Sequence, residues 1–238
     1  MQSALSVPGL FNARDLGGYP TTDGQLTRPG SLVRADDLAQ LQAEGLKALE
    51  AHGIRAVLDL RWPAEAARDP NPVPRALPHV HFMHVSLLTP TEEEWRLRSG
   101  DLAKELWKCG VLEHVRHELR RALGVIAQAP SGTLLFHCVA GKDRTGLIAA
   151  LLLALADVEP QAIAYDYAVS TDNLREEYLR RYPSANPARV LEALRCPQEG
   201  AYNMLKFLEN AGGVREYLGQ IGLSAAELEA LRARLRDR

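Results

Sequence analysis

The chain has almost no net charge and no long apolar run. Its 238 residues include 28 Lys and Arg against 30 Asp and Glu, which gives a net charge of -2 at pH 7. Such a chain has no global field that attracts nucleic acid or an anionic membrane, so any anion site must be local. The longest apolar run, 147–156, is far shorter than the roughly 17–25 residues that a membrane-spanning helix needs. We therefore expect no nucleic-acid partner and no stable membrane insertion.

Cysteines are also scarce, and a recognisable secretory signal is missing. Cys109, Cys138 and Cys196 are an odd number without the regular spacing of a disulfide framework. They fit a reducing compartment and allow one of the three to be a reactive thiol. The first residues lack the basic and continuous apolar segments of a signal peptide. We expect a cytoplasmic protein, with secretion by a signal-independent route left open.

Apolar residues are abundant, and they alternate between strand-like and helix-like patterns. Hydrophobic residues make up 46% of the chain, which is enough for one large core. Short apolar runs at 54–60, 80–87 and 133–137 predict strands, and segments with helical spacing lie between and after them. Strands that alternate with helices predict an open, mostly parallel sheet.

The sequence thus predicts one α/β domain over residues 1–238. We expect a three-layer fold with a central, mostly parallel sheet of about four to five strands, helices on both faces and a helical C-terminal third. The segment 91–128 begins with a capping box of Thr91 and Glu94 and is longer than a crossover requires, so we interpret it as a helical insertion that forms a lid. Ligands of such sheets bind beyond the carboxyl ends of the strands, where Asp59 and Cys138 both fall.

The motif HCVAGKDRTG, at residues 137–146, joins a predicted buried strand to a predicted buried helix. Backbone N–H groups in such a turn point inward, and the N-terminus of the helix adds partial positive charge. Both features favour a bound phosphate. The residues predicted to bind the phosphate ion or the phosphoryl group of a substrate are Val139, Ala140, Gly141, Lys142, Asp143 and Arg144.

Three side chains of this motif suit a two-step phosphatase reaction. Cys138 is the predicted nucleophile, because a helix N-terminus and a nearby cation lower a thiol pKa from its ordinary value of about 8.5. Arg144 can donate two parallel hydrogen bonds to phosphoryl oxygens, which a lysine cannot do. The hydroxyl of Thr145 is placed to donate to the sulfur when a phosphocysteine is hydrolysed.

The motif also resembles the active-site loop of the protein tyrosine phosphatase superfamily, and more narrowly its atypical bacterial branch. Residues 12–19, NARDLGGY, resemble the N-terminal signature of that branch, and residues 59–61, DLR, resemble its Asp-Leu-Arg segment. The resemblance implies a hydrolase without metal or cofactor that acts on phosphotyrosine, phosphoserine or phosphothreonine in proteins, or on phosphoinositides. It also implies Cys138 as nucleophile, Arg144 as phosphate ligand and Asp143 as general acid.

The identity of the general acid stays open between two carboxylates. Asp143 lies in the loop, but a helix cap is an alternative role for an Asp at that position. Asp59 ends the neighbouring strand and is a candidate to act as the acid, position water or orient Arg144. Conventional relatives carry the acid in a Trp-Pro-Asp loop; residues 62–64 here are Trp-Pro-Ala, which lacks the carboxylate, so we interpret them as a decoy.

Other charged residues have both functional and structural interpretations. Lys142 is either a selector of substrates or a solvated charge, and Arg14 and Asp15 either contact substrate or fasten the N-terminal loop. A cluster near residue 180 is either a solvated helix face, which we favour, or a site for acidic headgroups. Its members are Arg175, Tyr178, Arg180, Arg181 and Tyr182.

Two other functions use a similar loop. A catalytically weak phosphate-binding adaptor would normally have lost the cysteine or the acid, and both Cys138 and Asp143 are present here. Arsenate reduction requires a resolving thiol, so Cys109 or Cys196 would have to reach Cys138. The phosphatase is the function that these residues favour.

Overall fold

A five-stranded sheet forms the centre of the computed structural model, which describes residues 5–87, 112, 113 and 115–236. The strands are β1 (Arg14–Asp15), β2 (Leu32–Ala35), β3 (Ile54–Asp59), β4 (His81–His84) and β5 (Thr133–His137). Their order is β1-β2-β5-β3-β4; β1 is antiparallel to β2 and the other pairs are parallel. The predicted, mostly parallel sheet is therefore confirmed, although the strand expected over 80–87 is shorter.

Helices connect the strands and make up most of the chain after β5. A 3-10 helix covers Leu38–Gln40. The α-helices are α1 (Ala43–Ala51), α2 (Pro63–Arg68), α3 (Val73–Ala76), α4 (Arg116–Gln128), α5 (Asp143–Leu155), α6 (Pro160–Ala168), α7 (Ser170–Arg181), α8 (Pro187–Leu194), α9 (Gln198–Asn210), α10 (Val214–Gln220) and α11 (Ala225–Leu235). The expected helical C-terminal third is confirmed. Among the described residues, no helix combines the length and apolar character that crossing a membrane requires.

The sheet separates two apolar clusters, as side-chain alternation along a strand requires. Leu134 and Phe136 of β5 belong to one cluster, and Leu135 between them belongs to the other. Helix α5 packs in the first cluster, whereas Leu49 of α1 packs in the second. Helices therefore cover both faces of the sheet, which confirms the three-layer arrangement.

The predicted helical insertion over 91–128 is described only at its C-terminal end. Helix α4 carries Leu119 and Leu123 into the core, and its Arg120 Nη2 lies 3.0 Å from Glu227 Oε1 of α11. This part of the segment is packed against the body of the domain. The capping box at Thr91 and the proposed lid lie outside the described residues, and the lid stays a prediction.

A buried carboxylate joins the first two strands to α6. Asp166 Oδ1 accepts from Arg14 Nε of β1 at 2.9 Å and from the Tyr19 hydroxyl at 2.7 Å, and its Oδ2 pairs with Arg34 Nη1 of β2. Burial alone would raise the pKa of Asp166, but the two arginines lower it to about 2. The carboxylate is therefore ionised at neutral pH.

Asp166→Asn is expected to lower the free energy of unfolding by about 3–5 kcal/mol, because it leaves two buried guanidinium groups without their counter-charge. The pKa of this carboxyl is about 2 in the folded chain against 3.8 ordinarily, so its contribution is present above pH 3.8 and is lost as the pH falls toward 2. Urea titrations at several pH values measure both effects.

The matched control is Asp172→Asn, which removes an exposed partner of Arg175 on the next helix. That change is expected to alter stability by no more than about 0.5 kcal/mol. If Asp166→Asn unfolds at the same urea concentration as the wild type, the structural importance of this carboxylate is refuted.

Candidate active site

The predicted phosphate-binding loop runs from Cys138, directly after β5, to Arg144 in the first turn of α5, at the carboxyl edge of the sheet. Cys138 is 2% exposed and follows β5 directly. Gly141 has a φ of +64°, and a Cβ at this position would lie 2.5 Å from the carbonyl oxygen of Ala35 at the end of β2. Only glycine fits this approach, so the loop is packed tightly on the sheet.

Side chains from the N-terminal region hold the loop by its carbonyl oxygens. Asn12 Nδ2 donates to the carbonyls of Ala140 at 3.0 Å and Gly141 at 3.1 Å. Arg34 Nη2 donates to the Gly141 carbonyl at 2.6 Å. In a planar trans peptide the N–H points opposite to the C=O, so the N–H groups of Gly141 and Lys142 point away from Asn12 and Arg34. This is the orientation that an anion site needs.

Arg14 and Asp15, whose roles the sequence left open, are structural here. Arg14 Nη1 donates to the side-chain oxygen of Asn12 at 2.6 Å, and thereby fixes the residue that holds the loop. The Asp15 carboxylate accepts from the N–H groups of Gly17 at 2.7 Å and Gly30 at 2.6 Å. The N-terminal signature therefore stabilises the loop on the side of its carbonyl oxygens.

The guanidinium of Arg144 is held by a carboxylate that the sequence analysis missed. Its Nη1 donates to Glu65 Oε2 at 2.6 Å and its Nη2 donates to Glu65 Oε1 at 3.1 Å. Its Cζ also lies 5.5 Å from the ring centroid of Trp62. Burial opposes the charge of Arg144, but the Cys138 sulfur and the Glu65 carboxylate raise its pKa. A permanently charged, oriented guanidinium therefore lies close to the thiol.

Residues 62–64, which we interpreted as a decoy because they lack the acid of a Trp-Pro-Asp loop, have a different role: they lead into α2 and bring Trp62 and Glu65 to the site. Pro63 is the first residue of α2, and Glu65 Oε2 accepts from the Trp62 N–H at 2.8 Å. A proline followed two residues later by glutamate is a signal for the start of a helix. That signal, directly after the strand-ending Asp-Leu-Arg, was available in the sequence.

Asp59 lies at the expected edge of the sheet but pairs with a different arginine. Arg61 Nη2 donates to Asp59 Oδ2 at 2.7 Å, and Arg61 Nε donates to Oδ1 at 3.0 Å. The expected orientation of Arg144 by Asp59 is therefore not found, since Glu65 has that contact. Burial would raise the pKa of Asp59, but the charge and the hydrogen bonds of Arg61 lower it, which disfavours a proton donor.

His137, the last residue of β5, contacts the loop. Its Nδ1 lies 3.0 Å from the carbonyl oxygen of Cys138, and its Nε2 lies 3.0 Å from Asn71 Nδ2. Burial lowers the pKa of His137, so the ring is neutral and can donate from Nδ1 while it accepts at Nε2. It orients the carbonyl of Cys138, the predicted nucleophile.

Asp143 is the first residue of α5, and its carboxylate has two neighbours. The Tyr167 hydroxyl donates to Oδ1 at 3.2 Å, and Lys142 Nζ lies 3.5 Å from Oδ2. The N-cap position of α5 belongs to Lys142, whose side chain makes no capping hydrogen bond. Asp143 lies one residue beyond that position, which does not favour its alternative role as a helix cap.

The surroundings of Lys142 and Thr145 differ from those that the sequence predicted. Lys142 is buried, with its Nζ donating to the Ala193 carbonyl at 2.8 Å, so it is not a solvated charge. The hydroxyl of Thr145 is buried and makes no hydrogen bond within the described residues, so the expected bond to sulfur is not seen there. Its role in the reaction stays a prediction.

The thiols relevant to arsenate reduction are not joined. Cys138 and Cys196 are both free, and Cys196 Sγ donates to the Leu194 carbonyl at 3.4 Å. Cys109 lies outside the described residues. Nothing in the described part of the chain pairs a resolving thiol with the nucleophile.

A buried thiol, an oriented arginine and a loop with inward N–H groups define an enzyme that acts on phosphate esters. The chain belongs to the tyrosine phosphatase family, whose sequence model matches residues 5–237. This confirms the resemblance noted in the sequence, and the protein is a phosphoric monoester hydrolase.

Three relatives illustrate the similarity. A tyrosine-protein phosphatase of Nostoc commune is 30% identical over 223 residues, which are 86% of this chain and 74% of that protein. A putative tyrosine-protein phosphatase of Cupriavidus necator is 34% identical over 175 residues, 70% of this chain and 62% of that protein. The triple specificity protein phosphatase PtpB of Mycobacterium tuberculosis is 28% identical over 242 residues, 89% of this chain and 85% of that protein.

Glu65→Gln is expected to lower kcat/KM for an aryl phosphate by roughly 10- to 100-fold, because charge-assisted hydrogen bonds are worth about 1.5–3 kcal/mol and the fork to Arg144 is lost. Gln keeps the size of the side chain and an oxygen for the Trp62 N–H. The control variant is Glu229→Gln, which breaks an exposed ion pair with Arg215. Steady-state kinetics of the wild type and both variants measure the loss of kcat/KM. Equal kcat/KM for Glu65→Gln and this control would contradict the role of Glu65.

Proposed function

We propose that the protein hydrolyses phosphotyrosine in protein substrates in two steps, through a phosphocysteine on Cys138. The observation that carries this proposal is the loop itself, in which Asn12 and Arg34 bind the carbonyls and Glu65 orients Arg144 beside the thiol. Preorganised donors of this kind stabilise the charge that develops on a transferred phosphoryl group. The names of the Nostoc and Cupriavidus relatives support phosphotyrosine as the substrate.

In the first step, the Cys138 thiolate attacks phosphorus and the bond to the ester oxygen breaks. Arg144 and the N–H groups of the loop bind the three equatorial oxygens, while Asp143 donates a proton to the leaving oxygen. In the second step, water attacks the phosphocysteine and gives a proton to the Asp143 carboxylate. The sulfur leaves as a thiolate, stabilised by the hydroxyl of Thr145, and phosphate is released.

Asp143 suits the general acid better than Asp59 does. Both oxygens of Asp59 accept from Arg61, and its pKa is lowered. Asp143 lies in the loop, and the Tyr167 hydroxyl donates to only one of its oxygens. Its one ion pair, to Lys142 Nζ at 3.5 Å, is longer than the contacts of Asp59 with Arg61 at 2.7 and 3.0 Å. A carboxyl that is held less tightly can exchange a proton more readily during turnover.

The proposal extends to phosphoserine, phosphothreonine and phosphoinositides as further substrates. The Mycobacterium relative is named for triple specificity, which supports a broad choice of phosphate ester. We also propose a cytoplasmic location, because a cysteine nucleophile works only while it is reduced, and reducing conditions keep thiols free.

Cys138→Ser is expected to abolish release of an aryl alcohol from an aryl phosphate, because a serine hydroxyl has no preformed anion at neutral pH. The assay compares wild type and variant in the presence of a chelator. Phosphate binding by a folded wild type that shows no turnover would contradict the hydrolase and indicate a phosphate-binding adaptor.

Asp143→Asn is expected to lower kcat about 10²–10⁴-fold for an ester with a poor leaving group, and far less for one with a good leaving group, because only the former needs a proton. A series of aryl phosphates of increasing phenol pKa measures this dependence. Asp59→Asn is the companion variant. If Asp59→Asn, and not Asp143→Asn, steepens the dependence on leaving-group pKa, the assignment of the acid is overturned.

A further inference from the structure

A cavity of about 500 Å³ adjoins the phosphate-binding loop, and the chemistry proposed above does not use it. Val139, the residue after the nucleophile, lines it together with residues 36 and 37, which follow β2. The rest of its wall includes Phe11 from the N-terminal loop and the C-terminal end of α7. Because Val139 belongs to both the loop and the cavity wall, groups flanking a phosphorylated side chain in the loop have this cavity beside them.

Exposed aromatic rings form part of the rim. Phe11 is 42% exposed and Tyr182 is 49% exposed, although both are large apolar side chains. The rings of Tyr178 and Tyr182 have centroids 5.8 Å apart, and the Arg181 Cζ lies 5.6 Å from the Tyr178 centroid. Exposed aromatic side chains, here beside a tilted tyrosine pair with a cation over one ring, are typical of surfaces that bind a partner.

The most exposed charges of the cavity wall are guanidinium groups, and one of them, Arg68, is paired with the partly exposed Asp69 at 2.7 Å. The side chain of Arg180 is 74% exposed and that of Arg68 is 71% exposed. Arg180 and Arg181 share one carboxylate, Glu177, whose side chain is only 4% exposed. Two guanidinium groups with one buried counter-ion leave a net positive charge at the rim.

The carboxylates of the wall are already engaged. Asp36 accepts from the N–H groups of Phe11 and Asn12, and burial raises its pKa to about 6. Asp37 pairs with Arg61 at 3.0 Å. These acids repel a second phosphate dianion placed deep in the cavity, whereas the rim attracts a single carboxylate. A peptide therefore suits the cavity better than a multiply phosphorylated headgroup does.

We propose that this cavity binds the residues next to phosphotyrosine in a protein substrate and prefers an acidic neighbour. Arg180 and Arg181 bind the carboxylate at the rim, and Phe11 and Tyr182 contact the apolar part of the peptide. The inference rests on the proposed phosphotyrosine phosphatase function. It also revises the interpretation of the cluster near residue 180, since all of its members except Arg175 line the cavity.

The test uses phosphotyrosine peptides that differ only in the neighbouring residues, which are either Glu or Lys. We expect the wild type to have a higher kcat/KM for the Glu peptide, and the Glu/Lys ratio to fall about two- to five-fold in Arg180→Ala, the effect of one exposed charge pair. The wild-type ratio is also expected to decrease with added salt, because exposed charges are screened.

Arg175→Ala is the matched control. Arg175 lies on the same helix and pairs with Asp172, but it does not line the cavity. Its ratio is expected to equal that of the wild type. A wild-type ratio of one, or an equal fall in both variants, overturns the proposal.

Two further measurements separate this inference from the proposed function. Wild-type turnover of an aryl phosphate without any preference among the peptides leaves the phosphatase intact and refutes the subsite. Binding of both peptides to Cys138→Ser, followed by fluorescence anisotropy, tests the subsite without any turnover, and equal affinities refute it. If Arg180→Ala slows hydrolysis of a water-soluble phosphoinositide but leaves the peptide ratio unchanged, the peptide is the wrong occupant.

Discussion

The buried carboxylate of Asp166 holds the two arginines on which the geometry of the phosphate-binding loop depends. Arg14 donates a hydrogen bond to Asn12, and Arg34 donates one directly to the Gly141 carbonyl. Asn12 then binds the carbonyls of two loop residues. One anion therefore connects β1, β2 and α6 to the side of the loop that faces away from substrate. Because peptide planes are rigid, fixing the carbonyls also fixes the N–H groups opposite to them.

A contact within the protein also fixes Arg144, whose guanidinium is held by Glu65. A free arginine side chain loses much rotamer entropy when it binds phosphate, and its planar fork binds best when it is already oriented. Glu65 is itself fixed at the third position of a short helix by the Trp62 N–H. Both sets of donors that we propose bind phosphate are thus arranged by contacts within the protein, so the proposed reaction requires little reorganisation when negative charge develops.

Much of the fold was predictable because its central strands carry continuous apolar runs. β3 and β5 were predicted on that basis, and so was the glycine-containing turn that joins β5 to α5. β1 was not predicted, because a strand of two residues carries no periodic signal in the sequence. It forms a strand only by pairing with Leu32–Ala35. The predicted strand over 80–87 proved shorter, because β4 is an edge strand with partly exposed side chains.

The site was predicted where its residues are close in sequence, and missed where only the fold brings them together. Cys138 and Arg144 lie in one motif with its own local geometry. Glu65 is 79 positions from its partner Arg144. Asp59 lies at the predicted carboxyl edge of the sheet, but it is paired with Arg61. The position of Asp59 in the sequence predicted that it lies near the loop, but it did not reveal which arginine pairs with its carboxylate.

The most direct test of the central claim is to mix the enzyme with a phosphotyrosine peptide, quench it rapidly and locate the phosphoryl group by peptide mass spectrometry. The account predicts a transient phosphoryl group on the Cys138 sulfur, formed before free phosphate appears. Turnover that proceeds without a phosphoenzyme, or with the phosphoryl group on another residue, would contradict it.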